Sequence, residues 1–194
     1  ARTAIALGAD VTVISRHGPR LAALAHRLGS SARTVALAAG IVGESCRTAD
    51  VVVGAVNVPG AATPKLLTRA DIGAMTAAAG PGAVLMEICI DGGGVAETSH
   101  PTSHSSPTYT DEGVTHYAVA NMPAGVPRSA SLALSLAVAP HVLAIANLGL
   151  TQALRDSSGL AAGLQIHGGQ VLHAAVAQQL NRPCRDLDSM LFAC

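Results

Sequence analysis

The stretch Ala83-Val84-Leu85-Met86-Glu87-Ile88-Cys89-Ile90-Asp91-Gly92-Gly93-Gly94 decides the fold. Eight largely apolar residues, 83–90, run without turn formers and then break into an aspartate and three glycines. A run of this length reads as a strand buried on both faces, and the Gly-rich break reads as the turn at its carboxyl end. In open parallel sheets, ligands bind just beyond such carboxyl ends.

Outward from this run the pattern repeats. Ala49-Asp50-Val51-Val52-Val53-Gly54 is a second strong strand signal, Val11-Thr12-Val13-Ile14 a third, Thr34-Val35-Ala36-Leu37 a weaker fourth and Val114 to Val119 a fifth. Between them lie helical spacings. Ala1 to Leu7 reads as helix from the first residue, so the chain is expected to open inside an element. Leu21, Leu24 and Leu28 fall on one helical face, and Thr68 to Met75 carries Thr68 as its N-cap with Asp71 in the first turn. Pro81-Gly82 marks a turn. Apolar strands alternating with helices indicate an α/β fold with a parallel sheet covered on both faces.

Beyond Arg128 the pattern becomes mostly helical. The spacing predicts helices over Ser129–Ala139 and His141–Leu148, broken at Pro140, a loop over Gly163–Gly169, and a helix over Val171–Leu180. A boundary near Pro127 divides the chain into domains 1–127 and 128–194. The charge-free stretch between Arg128 and Arg155 is long enough to cross a bilayer. Its Pro140, His141, Asn147, Gln152 and serines favour buried or interface helices, so no membrane is expected.

Composition narrows the classes. Of 194 residues, 49% are hydrophobic and 12% charged, which supplies a core and argues against disorder. Zero net charge and 2% aromatics provide neither a basic face nor stacking platforms, which excludes nucleic acid as a partner. Cys46, Cys89, Cys184 and Cys194 lie in no C-x-x-C spacing and fit a reducing cytoplasm. His100 and His104 are four apart but have no third ligand nearby, and the serines of the same loop lack a G-x-S-x-G elbow.

Four segments follow strands and are the places where chemistry is expected: Ser15-Arg16-His17, Gly54 to Gly60, Asp91 to Gly94, and Ala120-Asn121-Met122-Pro123. Together they point to a nucleotide-like ligand.

The run Ile90-Asp91-Gly92-Gly93-Gly94, with Glu97, Pro101-Thr102-Ser103-His104 and Pro107-Thr108-Tyr109, resembles the alanine dehydrogenase family. So do Ala49 to Val56 with Pro59-Gly60-Ala61 and Pro64-Lys65-Leu66, and Val119 to Arg128 with Leu132-Ala133-Leu134 and Pro140. The resemblance covers nearly the whole chain. It implies a Rossmann-type doubly wound parallel sheet followed by a helical segment of the substrate domain, with the first strand and the Gly-rich fingerprint of the sheet falling before Ala1. It implies NAD as cofactor, L-alanine and pyruvate as substrates, and a homo-oligomer, by family a hexamer. Asp91 is implied as the catalytic carboxylate beside the nicotinamide. Cofactor contacts are implied for Arg20, Val56, Asn57, Cys89, Ile90, Val119, Ala120, Asn121 and Met122. The family's substrate-binding Arg and Lys and its catalytic His belong to an earlier segment.

Departures from the family pattern are equally specific. Ser15 stands where an acidic residue meets the adenosine ribose, with Arg16 beside it, so NADP becomes admissible next to NAD. Ala144 and Leu148 stand where a metal site of some relatives needs Glu and His, so no metal is expected. Two further readings follow from the same residues. One is a non-catalytic remnant or assembly-only subunit. The other is the NAD-binding part of a proton-translocating transhydrogenase, against which the segment Asn121 to Pro140 speaks.

Overall fold

The computed structural model describes residues 1–80 and 82–187. Pro81 of the expected 81–82 turn, Cys194 and the end of the second domain lie outside the described residues. The elements run α1 (Arg2–Ala6), β1 (Val11–Ser15), α2 (Gly18–Leu28), β2 (Ala32–Ala36), α3 (Ile41–Cys46), β3 (Val51–Gly54), α4 (Arg69–Ala79), β4 (Val84–Glu87), β5 (Thr108–Asp111) and β6 (Val114–Tyr117). After these come α5 (Pro127–Leu148), α6 (Leu150–Asp156), α7 (Ser158–Ala162), β7 (Ile166–His167), β8 (Gln170–Val171) and α8 (Ala174–Gln179).

The parallel sheet is present in two pieces. β1 and β2 pair with each other, and β3-β4-β6-β5 form a four-stranded sheet in that order. β3, β4 and β6 are parallel, while β5 is antiparallel to β6. The β5–β6 hairpin turns through Glu112 and Gly113, both at positive φ, the geometry that matches strand twist in a two-residue hairpin. The sequence pattern missed β5, because its alternation sits inside a Ser/Thr/Pro-rich loop. It also missed α3, which holds only six residues.

The core lies between the four-stranded sheet and α4. Leu67, Ile72, Met75, Leu85, Val95 and Val114 form one buried cluster with Cys46. Burial pushes the Cys46 thiol up to about 11, with the Asp71 charge adding to it, so this thiol stays protonated and inert. On α2, the leucine stripe read from the sequence packs inward through Leu21 and Leu28.

Coverage on both faces is not complete, and this corrects the expectation. Val51 and Val53 of β3 are 58% and 52% exposed, and every residue of β1 is only half-buried. β1 and β3 each have a single strand neighbour, and α1 buries no residue.

The second correction concerns α5. It runs unbroken through Pro140. A proline removes one amide donor, the bond to the carbonyl four residues earlier, and the turns on either side keep the helix continuous at a local cost of about 3 kcal/mol. None of its residues is buried, so the helix is not a core element of this chain. The third lies at Gly163–Gly169, where β7 and β8 make a short hairpin across Gly168 and Gly169 rather than a loop. Val171 belongs to β8, which leaves α8 to begin at Ala174.

The start of α4 matches the sequence reading. Thr68 and Asp71 form a capping box: the Asp71 amide donates to the Thr68 hydroxyl at 3.2 Å, and the Thr68 amide donates to Asp71 Oδ2 at 2.9 Å. The Thr68 hydroxyl and then its amide hold the Asp71 carboxyl below its ordinary value. A depressed carboxyl contributes stability that is present above the unfolded value, ~3.9, and is lost as pH falls through the folded one. Thr68→Ala is expected to cost about 1 kcal/mol at neutral pH. The gap between variant and parent in urea midpoint should narrow as the pH is taken below the ordinary carboxylate range. An equal gap at both pH values would show that the box does not act through Asp71.

Candidate functional site

β4 is shorter than its apolar run. It ends at Glu87, and Ile88 makes one more ladder bond to the Gly54 carbonyl at 2.9 Å. Cys89 then leaves the extended region, and Ile90–Gly92 form a 3-10 turn followed by Gly93 and Gly94 at positive φ. The run of glycines explains the early stop, because only glycine adopts two successive left-handed conformations at little cost. Asp91 therefore sits in the middle of a tight turn at the carboxyl edge of the parallel strands, not on the strand.

The turn is tied to the segment after β3. The Thr63 amide donates to the Gly92 carbonyl at 2.8 Å, and the Thr63 hydroxyl to the Cys89 carbonyl at 3.4 Å. Lys65 Nζ donates to the Gly93 and Ala96 carbonyls at 2.6 and 2.7 Å. A Cβ on Gly92 would overlap the Thr63 hydroxyl, so the two segments touch only because this residue has no side chain.

Between them lies a cavity of about 270 Å³. Its walls include Val56, Asn57, Ile88, Cys89 and Asp91. It is smaller than the roughly 300–1,000 Å³ of a site for a drug-sized ligand, which suits one ring system rather than a whole dinucleotide. The Cys89 thiol is half-buried, and burial raises it above its ordinary value, with Glu87 acting in the same direction. It lines the wall as a protonated, weakly polar group. Among the described residues no lysine or arginine lines the cavity.

Four of the residues marked by the sequence, Val56, Asn57, Cys89 and Asp91, thus meet at one cavity. Others are placed differently. Ile90 is buried and is not among the cavity's lining residues. Val119 is fully buried and forms a parallel bridge with Thr102. Ala120, Asn121 and Met122 follow β6, the strand beside β4, and leave the sheet at the same edge. Asn121 takes a left-handed conformation at φ 54°, and its carbonyl accepts from His104 Nε2 at 3.1 Å. His100 instead stacks on Tyr109, so the two histidines engage separate partners. Among the described residues no three His, Cys, Asp or Glu side chains come together as metal ligands.

Ser15 and Arg20 belong to the other sheet piece. The Ser15 hydroxyl accepts from the His17 amide at 3.3 Å, and Arg16, His17 and Arg20 are exposed around the start of α2. Two residues to which the sequence assigned no role stand close to the cavity. Lys65 lies inside one of the family-like motifs. Glu87 is a lone carboxylate in an apolar run, and that oddity was the signal that could have found it.

Comparison with known proteins adds one family model, two curated relatives and two solved structures. Residues 1–174 match the family model described as "Alanine dehydrogenase/PNT, C-terminal domain". Alanine dehydrogenase from Halomonas elongata is 46% identical over 178 residues, covering 92% of this chain and 47% of that protein. Alanine dehydrogenase from Bacillus subtilis is 41% identical over 181 residues, 93% of this chain and 47% of that protein. A solved L-alanine dehydrogenase superposes with a TM-score of 0.76 at 36% identity, over 93% of this chain and 48% of that one. A transhydrogenase from Sinorhizobium meliloti shares the fold, with a TM-score of 0.64 at 24% identity over 89% of this chain and 45% of that one. The chain spans about half the length of the curated relatives it matches.

Proposed function

The chain belongs to the alanine dehydrogenase/PNT C-terminal domain family, and from that premise we propose that it supplies the cofactor-binding part of an enzyme that interconverts L-alanine with pyruvate and ammonia. The observation that carries the reading is Asp91, exposed on a hydrogen-bonded turn at the carboxyl edge of β4, at the wall of a cavity sized for a single ring. The cavity fits a nicotinamide. Val56 and Ile88 offer apolar surface to a flat ring, while Asn57 and Asp91 offer an amide and a carboxylate to its polar edge.

Bound NAD supplies the hydride acceptor. The chain's own residues bind and orient the ring, and Asp91 takes or stabilises protons as the amine becomes a carbonyl. The substrate carboxylate needs a cation, and among the described residues none lines the cavity; Lys65 already donates to two carbonyls. The 194-residue chain by itself is therefore expected to show no NADH formation from L-alanine. Fused behind the preceding half of the Bacillus subtilis enzyme, it is expected to turn over. Activity of the chain alone within tenfold of a full-length relative, or an inactive but folded fusion, would count against the reading.

Cofactor choice is set at Ser15. An acidic residue there bonds the ribose hydroxyls and repels a 2′-phosphate. Ser15 bonds its own loop through the His17 amide, and Arg16 and Arg20 stand exposed nearby. In the fusion, NAD is the cofactor and NADP is discriminated against only weakly. Ser15→Asp is expected to raise the NAD-over-NADP ratio about tenfold, the worth of one charged hydrogen bond. A parent that rejects NADP as strongly as the variant would remove Ser15 and Arg16 from the choice. Residues 128–194 are read as the helical part of the substrate domain, with α5 as an interface helix within a homo-oligomer rather than a membrane span.

A further inference from the structure

Glu87 closes β4 with no exposed surface. A carboxylate taken out of water is tolerated only where hydrogen bonds replace its hydration. Here the Val95 amide donates to both oxygens at 2.9 and 3.1 Å, the Ala96 amide donates at 3.3 Å, the Ser99 hydroxyl donates to Oε1, and the Cys89 thiol stands at 3.5 Å. Every donor lies between residues 89 and 99, the segment that contains Asp91. Two glycines make room for the group. A Cβ on Gly54 would stand 2.5 Å from Oε2, and one on Gly94 would stand 2.8 Å from Oε1. From the other side Lys65 takes the Gly93 and Ala96 carbonyls. Ala96 is thus held at its amide by an anion and at its carbonyl by a cation.

We propose that Glu87 is a positioning residue for the cavity: its buried carboxylate, through the Val95 and Ala96 amides, the Ser99 hydroxyl and the Cys89 thiol, holds the 89–94 turn in the conformation that keeps Asp91 and Cys89 at the cavity wall. What the cavity receives rests on the cofactor reading above; the hold itself does not.

The Cys89 thiol reports on the hold from inside. Burial raises it first, and the Glu87 charge and its acceptance of the S–H raise it further. The test follows iodoacetamide alkylation of the folded 194-residue chain across pH, residue by residue, by peptide mass spectrometry. Glu87→Gln keeps the size, loses the charge and turns an amide NH2 toward donors. It is expected to move the Cys89 profile to lower pH and to speed its alkylation at neutral pH, the direction given by removing a neighbouring negative charge and an S–H acceptor. Cys46 should not change. Hydrogen exchange of the Gly92 and Gly93 amides, which close the turn onto Cys89 and Ile90, should quicken in parallel.

A parental Cys89 profile in a folded Glu87→Gln chain overturns the proposal. So does a shifted profile with parental exchange at Gly92 and Gly93, because the turn then needs no hold. Where Glu87→Gln does not fold, Ser99→Ala decides: it removes one donor while leaving the carboxylate's charge, so exchange of the Gly92 and Gly93 amides should quicken by a smaller factor, and parental exchange overturns the proposal. Adding NADH to the fusion enzyme separates the two ideas. Lack of protection at Cys89 counts against the cofactor reading, while the hold of Glu87 on the turn stands or falls with the two variants.

Discussion

Asp91→Asn, placed in the fusion enzyme described above, is expected to lower turnover of L-alanine by about a hundredfold to ten-thousandfold, the usual worth of one positioned acid–base group. The substitution keeps the shape of the side chain and removes its charge and basicity. Asp91 is exposed and makes none of the bonds that close its turn, which run through the carbonyls of Cys89 and Ile90 and the amides of the glycines. The turn should therefore survive the change. Cofactor affinity should alter by less than about fivefold, because a charge at a solvent-open wall contributes only about 0.2–1 kcal/mol to a contact. Steady-state kinetics beside a fluorescence titration of NADH separates the two quantities. Turnover near the parental value would make Asp91 a turn residue and no more.

Gly54→Ala carries the second large effect, on stability. The added methyl would stand 2.5 Å from Glu87 Oε2 and 2.8 Å from Val95 Cγ2. Neither neighbour can step aside: Glu87 is pinned by its donors, and Val95 belongs to the buried cluster. Overpacking of this kind costs about 1–3 kcal/mol. For a chain of this length each kcal/mol corresponds to roughly 2–4 °C in Tm. Gly159→Ala serves as control. It is exposed in the first turn of α7, meets nothing within 4 Å beyond its own helix and chain neighbours, and is expected to stabilise by about 0.4–1 kcal/mol. A Gly54→Ala melt that coincides with the parent's would show that the strand ends have more room than these distances allow.

Particular residues show how far the sequence could be read. The apolar runs at 51–54 and 84–87 were legible as parallel strands because burial leaves near-continuous hydrophobicity, a signal that needs no knowledge of partners. Thr68 and Asp71 were legible as a cap because the box is closed within four residues. The last three residues of the run at 83–90 were not legible as a turn. Ile88, Cys89 and Ile90 are as apolar as the strand before them, and what ends the strand is the glycine geometry that follows. Val56, Asn57, Cys89 and Asp91 were marked by resemblance, and their meeting at one cavity is a fact of three dimensions. Glu87 went unassigned because its partners lie eight to twelve residues ahead, across a loop whose path no local pattern describes. Pro140 misled for the opposite reason: a local rule was applied where the helix on either side was long enough to override it.

α5 leaves a practical consequence. Leu132, Leu134, Leu136, Val142 and Leu143 are each more than half exposed along a helix of 22 residues with a mean hydropathy of 1.8 over its most apolar window. A surface of this kind makes stability a matter of company. Whatever covers it in the folded state and not in the unfolded one adds to the folding free energy by mass action. A denaturation midpoint for this chain is then a property of the solution as much as of the sequence, and it has meaning only beside the protein concentration at which it was measured.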